Sequence, residues 1–254
     1  MTATGDIRTG AHRDRVPSIF EPILSAAVAA VGDADATLYV YGSVANGTAR
    51  PGVSDVDLLC VNYPHAAELS AYLTDRFPLV CRGVEVAGMT SSDLQGDTDE
   101  AYGNKVFLRH YCVHLTGTDV SAGLPDFRAD ARAARGFNGD VGRHWRRWQD
   151  QLTTPGVDIE TLGRRVARKT LLAVAGMVSV HDNIWTTDRL RAAQRWSEIE
   201  PALGPELAQL WSWVEGAQIP TRDAVASVLA DDGLIAAVVR QFDAVAGLWT
   251  SSHT

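Results

Sequence analysis

The segment spanning residues 41–61 reads YGSVANGTARPGVSDVDLLCV and contains the strongest structural pattern of the chain. An apolar strand ends at Gly42 and Ser43, a loop with further glycines follows, and Asp55 and Asp57 stand at the head of a second apolar strand. Because strand side chains alternate between faces, both aspartates point to the same side. Two carboxylates facing a glycine loop favour a site for Mg²⁺ and a polyphosphate.

Length and composition predict an ordinary globular protein. The chain has 254 residues, of which 46% are hydrophobic and 21% charged, enough for one large domain or two small ones. No apolar stretch is long enough for a membrane helix, and the N-terminus lacks the apolar core of a secretory signal. We therefore expect a cytoplasmic location and no membrane partner.

The net charge of −8 bears on the partners. A protein that grips long nucleic acid usually carries a basic surface, because phosphate neutralisation supplies most of its affinity. The acidic total therefore weighs against nucleic acid and favours a neutral or cationic acceptor. Cys60, Cys81 and Cys112 show no zinc-like spacing and are interpreted as core residues.

Hydrophobic periodicity divides the chain into two parts. The first part contains apolar segments that predict strands, with a helix before and a helix between them, up to a loop at residues 121–127. After that loop the pattern is helical throughout. The predicted strands are 36–41, 55–61, 79–86 and 111–115; the predicted helices are 17–32, 66–77, 138–152, 158–180, 188–196, 205–213 and 232–248.

The order strand, Gly-Ser, glycine turn, Ser-Asp-Val-Asp-Leu-Leu, strand resembles the nucleotidyltransferase superfamily with the polymerase-beta type fold. The resemblance implies an α+β chain, in which residues 1–127 form a catalytic domain with a small mixed sheet flanked by helices. Residues 128–254 would form an all-helical C-terminal domain. It also implies that Gly42 and Ser43 bind the nucleotide and that Asp55 and Asp57 bind Mg²⁺. The alternative is an accidental match in a structural turn.

The superfamily needs a third carboxylate on a neighbouring strand. Glu85, in the sequence Gly-Val-Glu-Val, is the best candidate, because a charge inside an apolar strand is costly unless it faces a site or solvent. Glu85 is therefore predicted as a third metal ligand and a catalytic residue. The alternative is a solvent-facing residue on an edge strand.

Within the superfamily the chain is most similar to the streptomycin and spectinomycin adenylyltransferases, through LYGS, SDVDLL and VEV. That resemblance implies ATP as the nucleotide donor, an aminoglycoside as the acceptor and a role in antibiotic resistance. It also implies that Glu85 is the base for the acceptor hydroxyl. The loop before Asp55 is one residue longer than in that family, which leaves the acceptor open.

The resemblance extends to the helical part by spacing more than by identity. Arg168 follows Asp158 by ten residues, and Arg168 and Lys169 are predicted to bind the nucleotide. Trp148 and Asp158 are predicted to contact the acceptor. The alternatives are a solvated basic helix face for Arg168 and Lys169, and a core position for Trp148.

These features predict a Mg²⁺-dependent enzyme that moves AMP from ATP to a hydroxyl of a small polar acceptor and releases pyrophosphate. The first alternative is a nucleotidyltransferase of the toxin–antitoxin type that modifies tRNA or a protein. The second is a degenerate module that binds a nucleotide without catalysis, which the presence of all three carboxylates argues against.

Overall fold

The computed structural model describes residues 5–32 and 35–250. The chain divides into two compact units. One is Arg8–Asp126, here called the sheet unit. The other, the helical unit, comprises the described residues of Met1–Ile7 and Phe127–Thr254. An isolated β-bridge between Asp6 and Arg128 joins the two segments of the helical unit.

Among the described residues, the sheet unit has one mixed four-stranded sheet in the order β3-β2-β1-β4. β1 pairs antiparallel with both β2 and β4, whereas β2 and β3 are parallel. The strands are β1 (Thr37–Tyr41), β2 (Val56–Val61), β3 (Val84–Met89) and β4 (Val113–Thr116).

Helices cover both faces of this sheet. Ile23 of the first helix and Leu73 of the third pack with Leu58 on one face. On the other face, Leu108 of the fourth helix packs with Tyr39 and Leu59. This burial on both sides explains why β2 is almost continuously apolar after Asp57. The helices are α1 (Glu21–Val31), α2 (Gly42–Asn46), α3 (Ala66–Arg76) and α4 (Asp99–Tyr111).

The helical unit is built around α7, a 24-residue helix whose Leu171, Val174 and Met177 are fully buried. Neighbouring helices contribute Trp148, Trp213 and Phe242 to the same core. Its helices are α5 (Ala131–Asn138), α6 (Val141–Thr153), α7 (Ile159–Asp182), α8 (Arg189–Ile199), α9 (Gly204–Glu215), α10 (Arg222–Leu229) and α11 (Leu234–Ala246).

The predicted α+β fold, with a mixed sheet followed by helices, is confirmed. The strand predicted at 79–86 was wrong in position, because β3 is Val84–Met89. The residues before it form a turn, in which the amides of Val80 and Cys81 donate to the Phe77 carbonyl. Leu79 in this turn is 92% exposed, so its apolar side chain did not indicate a buried strand.

The helix predicted at 138–152 is α6, which begins only at Val141, because the chain breaks at Gly139 between α5 and α6. A side chain on Gly139 would collide with the Trp249 ring and the Arg135 carbonyl, so tertiary packing sets the break. The sequence prediction missed α2, α4, α5 and α10. The first turn of α4 carries Asp99 and Glu100, whose negative charges interact favourably with the positive end of the helix dipole.

The division into domains at residues 127 and 128 stays a prediction, and its outer ends lie beyond the described residues. Within the described part of the chain, the longest helix, α7, is too polar to cross a membrane, and the other helices are too short or too polar as well.

Candidate active site

Three residues lie side by side across the sheet, and we call them the site row: Tyr41, Asp57 and Glu85. Tyr41 of β1 is the register partner of Asp57 in β2, and Asp57 is the partner of Glu85 in β3. Directly paired residues on neighbouring strands place their side chains on one face, about 5 Å apart at Cβ. The sheet therefore brings together two carboxylates that are 28 positions apart in sequence.

The face that carries the site row becomes apolar further along the strands. Tyr39, Leu59 and Val61 lie on it and are buried beneath Leu108 of α4. Asp57 is half-buried at the edge of this cluster, whereas Glu85 is exposed. One end of the face is thus buried and apolar, and the other presents carboxylates towards solvent. This is the arrangement of a site supported by a packed core.

Gly42 is required next to Asp57. Its backbone has φ +69°, in the left-handed region that favours glycine, and it begins α2 immediately after β1. A Cβ on Gly42 would overlap the Asp57 carboxylate. The first turn of α2 can therefore approach the site row only because residue 42 lacks a side chain.

The carboxylates of the site perturb their neighbours. Burial, followed by the negative charges of Glu85 and Asp55, raises the pKa of Asp57 to about 6, against the opposing charge of Arg82. Burial also raises the pKa of the Tyr41 hydroxyl to about 12, again helped by Asp57 and Glu85. The site is electronegative, so a bound cation would stabilise it.

Arg82 is a site residue that the sequence analysis missed. Its Nε donates to Asp55 Oδ1 at 2.9 Å and its Nη2 donates to Asp55 Oδ2, so the guanidinium holds the carboxylate with two parallel bonds. The Arg82 side chain is 71% exposed, and that of Asp55 is 20% exposed. The sequence could have indicated Arg82 by its position, because it precedes the predicted site residue Glu85 by three residues, just before β3.

The donor set fits Mg²⁺ in its chemistry. In the part of the chain that the structure describes, no three His, Cys, Asp or Glu side chains converge as a preformed metal cage. Asp55 is turned to Arg82, whereas Asp57 and Glu85 are adjacent hard oxygen donors. Mg²⁺ commonly binds through one or two protein carboxylates, with waters and substrate phosphates completing its shell. Asp57 and Glu85 meet that requirement, and Asp55 would be added by releasing Arg82.

Ser43 lies in the first turn of α2. Its carbonyl accepts from the amides of Thr48 and Ala49, at 2.9 and 3.0 Å, and so holds the following turn against the helix. Among the described residues, the Ser43 hydroxyl has no hydrogen-bond partner, and the residue is half-buried. A free hydroxyl beside Gly42 can donate to a ligand oxygen.

The helical unit has a cavity of its own, of about 530 Å³. Because most of its polar lining is basic, we call it the basic cavity. It brings together three of the residues that the sequence analysis had singled out, Trp148, Arg168 and Lys169. The lining residues are His144, Trp148, Thr161, Arg164, Arg165, Arg168, Lys169 and Leu172.

The cations of the basic cavity differ in whether they are already paired with an anionic group of the protein. Arg165 and Arg168 are exposed, and no carboxylate pairs with them among the described residues. Arg164 pairs with Glu160 at 2.9 Å. Lys169 is held internally, 2.7 Å from Asp140 Oδ1 and with its ammonium donating to the Phe137 carbonyl at 3.2 Å. Arg165 and Arg168 are therefore the cations most available to an anion.

Trp148 and Asp158, the predicted acceptor contacts, both have structural contacts. Trp148 is 1% exposed and stacks on His144, with ring centroids 5.4 Å apart, so it forms the floor of the basic cavity. Asp158 caps α7: its carboxylate accepts from the Thr161 amide at 3.1 Å and the Thr161 hydroxyl at 2.6 Å. These two bonds lower the pKa of Asp158. Asp158 does not line the basic cavity.

Residues 23–111 match the family model of the nucleotidyltransferase domain. The matched segment runs from α1 to the end of α4, and it contains Gly42, Ser43, Asp55, Asp57 and Glu85. Arg82 lies within it as well. No curated protein matches the chain.

The chain thus has a nucleotidyltransferase domain in its N-terminal part and is a transferase enzyme with a nucleotide substrate. The match supports nucleotidyl transfer as the general activity. It lies within the sheet unit, so the helical unit is interpreted from its own contacts.

Proposed function

We propose that this enzyme transfers AMP from ATP to a hydroxyl group of a small polar acceptor, with release of pyrophosphate and with dependence on Mg²⁺. The observation that carries the proposal is the site row beside Gly42. It places Asp57 and Glu85 on adjacent strands. Gly42 lies next to Asp57, and a side chain at residue 42 would overlap the Asp57 carboxylate.

Each residue of the site has a chemical part in this proposal. Asp55, Asp57 and Glu85 would hold Mg²⁺, which when bound neutralises negative charge on the phosphates. Glu85 is exposed and can receive the proton of the acceptor hydroxyl as its oxygen attacks the α-phosphorus. The bond from the α-phosphorus to the bridging oxygen breaks, and pyrophosphate leaves with that oxygen. Gly42 and Ser43 would hold the triphosphate through the amides and the free hydroxyl at the start of α2.

The basic cavity supports a second phosphate contact. Arg165 and Arg168 are exposed and unpaired with any described carboxylate, so either guanidinium can bind a phosphate oxygen. Burial, followed by the positive charge of Arg168, lowers the pKa of the Arg189 guanidinium, so Arg168 also affects its neighbour on α8. Lys169 would act here mainly by holding Asp140 and the base of the cavity.

We propose an aminoglycoside or a chemically similar polyhydroxylated cation as the acceptor, which would make the enzyme an antibiotic-resistance determinant. The exposed carboxylate of Glu85 and the net charge of −8 favour a cationic acceptor. Trp148 and Asp158 stay predicted acceptor contacts. The basic lining above Trp148 would repel a cation, so the contact by Asp158 is the better supported of the two.

The alternative acceptor is tRNA or a protein, as in toxin–antitoxin nucleotidyltransferases. One observation favours it: Arg146 and Arg147 of α6 are exposed, and the basic cavity adds Arg165 and Arg168 in the same unit. A string of exposed arginines is suited to a phosphate backbone.

One labelling experiment tests both. The full chain is incubated with Mg²⁺ and ATP labelled at the α-phosphate, against a panel of aminoglycosides and against total tRNA, with Asp57→Asn as the control. We expect label on an aminoglycoside with wild type and none with the variant. Label only on tRNA, with a strong dependence on salt, would establish the alternative. Equal labelling by Asp57→Asn would overturn the site assignment.

A further inference from the structure

We propose that Arg82 is an internal counter-ion that occupies Asp55 when no metal is bound and must release it when a divalent cation enters. Arg82 would thus be a positioning residue that sets the metal affinity of the site. The inference rests on the proposed function, because it concerns the same carboxylates.

The geometry of the pair supports exchange with a cation. Arg82 binds both oxygens of Asp55, so a metal shared with Asp57 would have to compete with the guanidinium for that carboxylate. At the same time, no three acidic side chains converge among the described residues. The Asp55 carboxylate is bound by Arg82, so it is not free to join Asp57 and Glu85 at a metal while that contact persists.

The backbone around the pair is fixed, so the side chains are what can move. The Arg82 amide donates to the Ser54 carbonyl at 3.1 Å, and the Val56 amide donates to the Gly83 carbonyl at 2.9 Å. These two bonds hold the segments that precede β2 and β3 side by side. The backbone therefore keeps Asp55 and Arg82 adjacent, and changes in their side-chain torsions are enough to separate the charged groups.

Arg82 is much more exposed to solvent than Asp55, so breaking the ion pair costs little free energy. The Arg82 side chain is 71% exposed, so a freed guanidinium stays hydrated, whereas Asp55 is only 20% exposed and needs a cation beside it. Exposed ion pairs contribute about 0.2–1 kcal/mol. Competition of that size would weaken metal binding by about 1.4- to fivefold.

The test measures metal affinity without nucleotide, by titrating Mn²⁺ into the full chain and following the free ion by electron paramagnetic resonance. We expect Arg82→Gln to bind Mn²⁺ about 1.4- to fivefold more tightly than wild type. Arg76→Gln, which removes an exposed charge from the end of α3, should leave the affinity unchanged. Unchanged or weaker binding by Arg82→Gln would overturn the proposal.

Arg82→Lys separates release from simple charge repulsion. Lysine keeps the charge but cannot make the two parallel bonds, so release predicts tighter Mn²⁺ binding than in wild type. If Arg82→Lys matches wild type while Arg82→Gln binds more tightly, only the charge matters and the proposal fails. If neither wild type nor Arg82→Gln binds Mn²⁺, the metal site of the proposed function fails as well. Binding that Asp57→Asn abolishes, with no effect of Arg82, would leave that function intact and refute the role of Arg82.

Discussion

Gly42 and Asp57 lie in contact across β1 and β2, and the Asp57 carboxylate occupies the position that a Cβ on residue 42 would need. Gly42 also has a positive φ of +69°. The glycine of the Gly-Ser pair thus has two physical reasons to be glycine. One is the backbone conformation, and the other is the space taken by a predicted metal ligand.

Gly42→Ala should disable the enzyme and destabilise it beyond the effect of backbone strain. The matched control is Gly52→Ala, since Gly52 has φ +71° and a Cβ there would meet no atom within 4 Å. We expect Gly52→Ala to lose about 1–2 kcal/mol through the left-handed conformation alone. Gly42→Ala should lose about 1–3 kcal/mol more through overpacking. Urea unfolding of both variants measures this, and equal losses would contradict the contact.

Asp57→Asn should change the dependence of stability on pH. The pKa of Asp57 is raised to about 6 in the folded protein, so the folded state holds its proton more strongly than the unfolded state. Wild-type stability contributed by this group therefore falls as pH rises from about 4 to about 6 and stays lower above that range. Asparagine has no such loss.

The measurement is the free energy of unfolding of both proteins at pH 4 and pH 7 without divalent cations. From pH 4 to pH 7, we expect the free energy of unfolding of Asp57→Asn to rise relative to that of wild type by about 1–2 kcal/mol, after allowance for solvent screening. Mg²⁺ should recover the difference by stabilising wild type only. A constant difference at both pH values would show that Asp57 is not perturbed.

Glu85→Gln should lower the rate of transfer while leaving the fold intact. If Glu85 receives the proton of the acceptor, kcat should fall by about 10²–10⁴-fold. Because Glu85 is exposed on the edge strand β3, its replacement should change the free energy of unfolding by less than about 0.5 kcal/mol. Glu68→Gln on α3, also exposed, is the control with full activity. Wild-type kcat in Glu85→Gln would leave Glu85 as a solvent-facing residue.

Lys169 and Arg168 are adjacent in sequence, but we expect substitution of Lys169 to lower stability and substitution of Arg168 to weaken nucleotide binding. Lys169→Met removes the cation 2.7 Å from Asp140 and should destabilise the protein by about 1–3 kcal/mol. Arg168→Met should cost less than about 0.5 kcal/mol, because Arg168 is exposed, and should instead raise KM for ATP. Thermal unfolding and steady-state kinetics of both variants test this. Loss of stability in Arg168→Met would point to a structural role there too.

Asp158 has a structural role that two substitutions can separate from acceptor binding. Asp158→Ala removes the cap of α7 and should cost about 1 kcal/mol. Asp158→Asn keeps an acceptor for the Thr161 amide and should stay near wild-type stability. If Asp158 also contacts a cationic acceptor through its charge, Asp158→Asn should raise KM for the acceptor alone. Unaltered kinetics in that stable variant would confine Asp158 to capping.

Much of the site was readable from the sequence because its parts lie in short, regular segments. The alternation of a strand places Asp55 and Asp57 on one side, and the apolar residues around Glu85 identify a charged position inside a strand. The error in the position of β3 left Glu85 in a strand all the same. The helices α4 and α10 were missed because their termini are set by capping residues, Thr98 and Thr221, within polar stretches.

The sequence by itself determined the two-part organisation, the glycine beside two carboxylates, and the candidacy of Glu85, because each of these depends on residue type and local periodicity. Only the tertiary structure decided which groups touch. In the structure Asp57 is paired with Glu85 across parallel strands. Arg82 binds Asp55, and Lys169 forms an ion pair with Asp140. The reason is that such partners are set by strand register and helix packing, which no local pattern along the chain encodes.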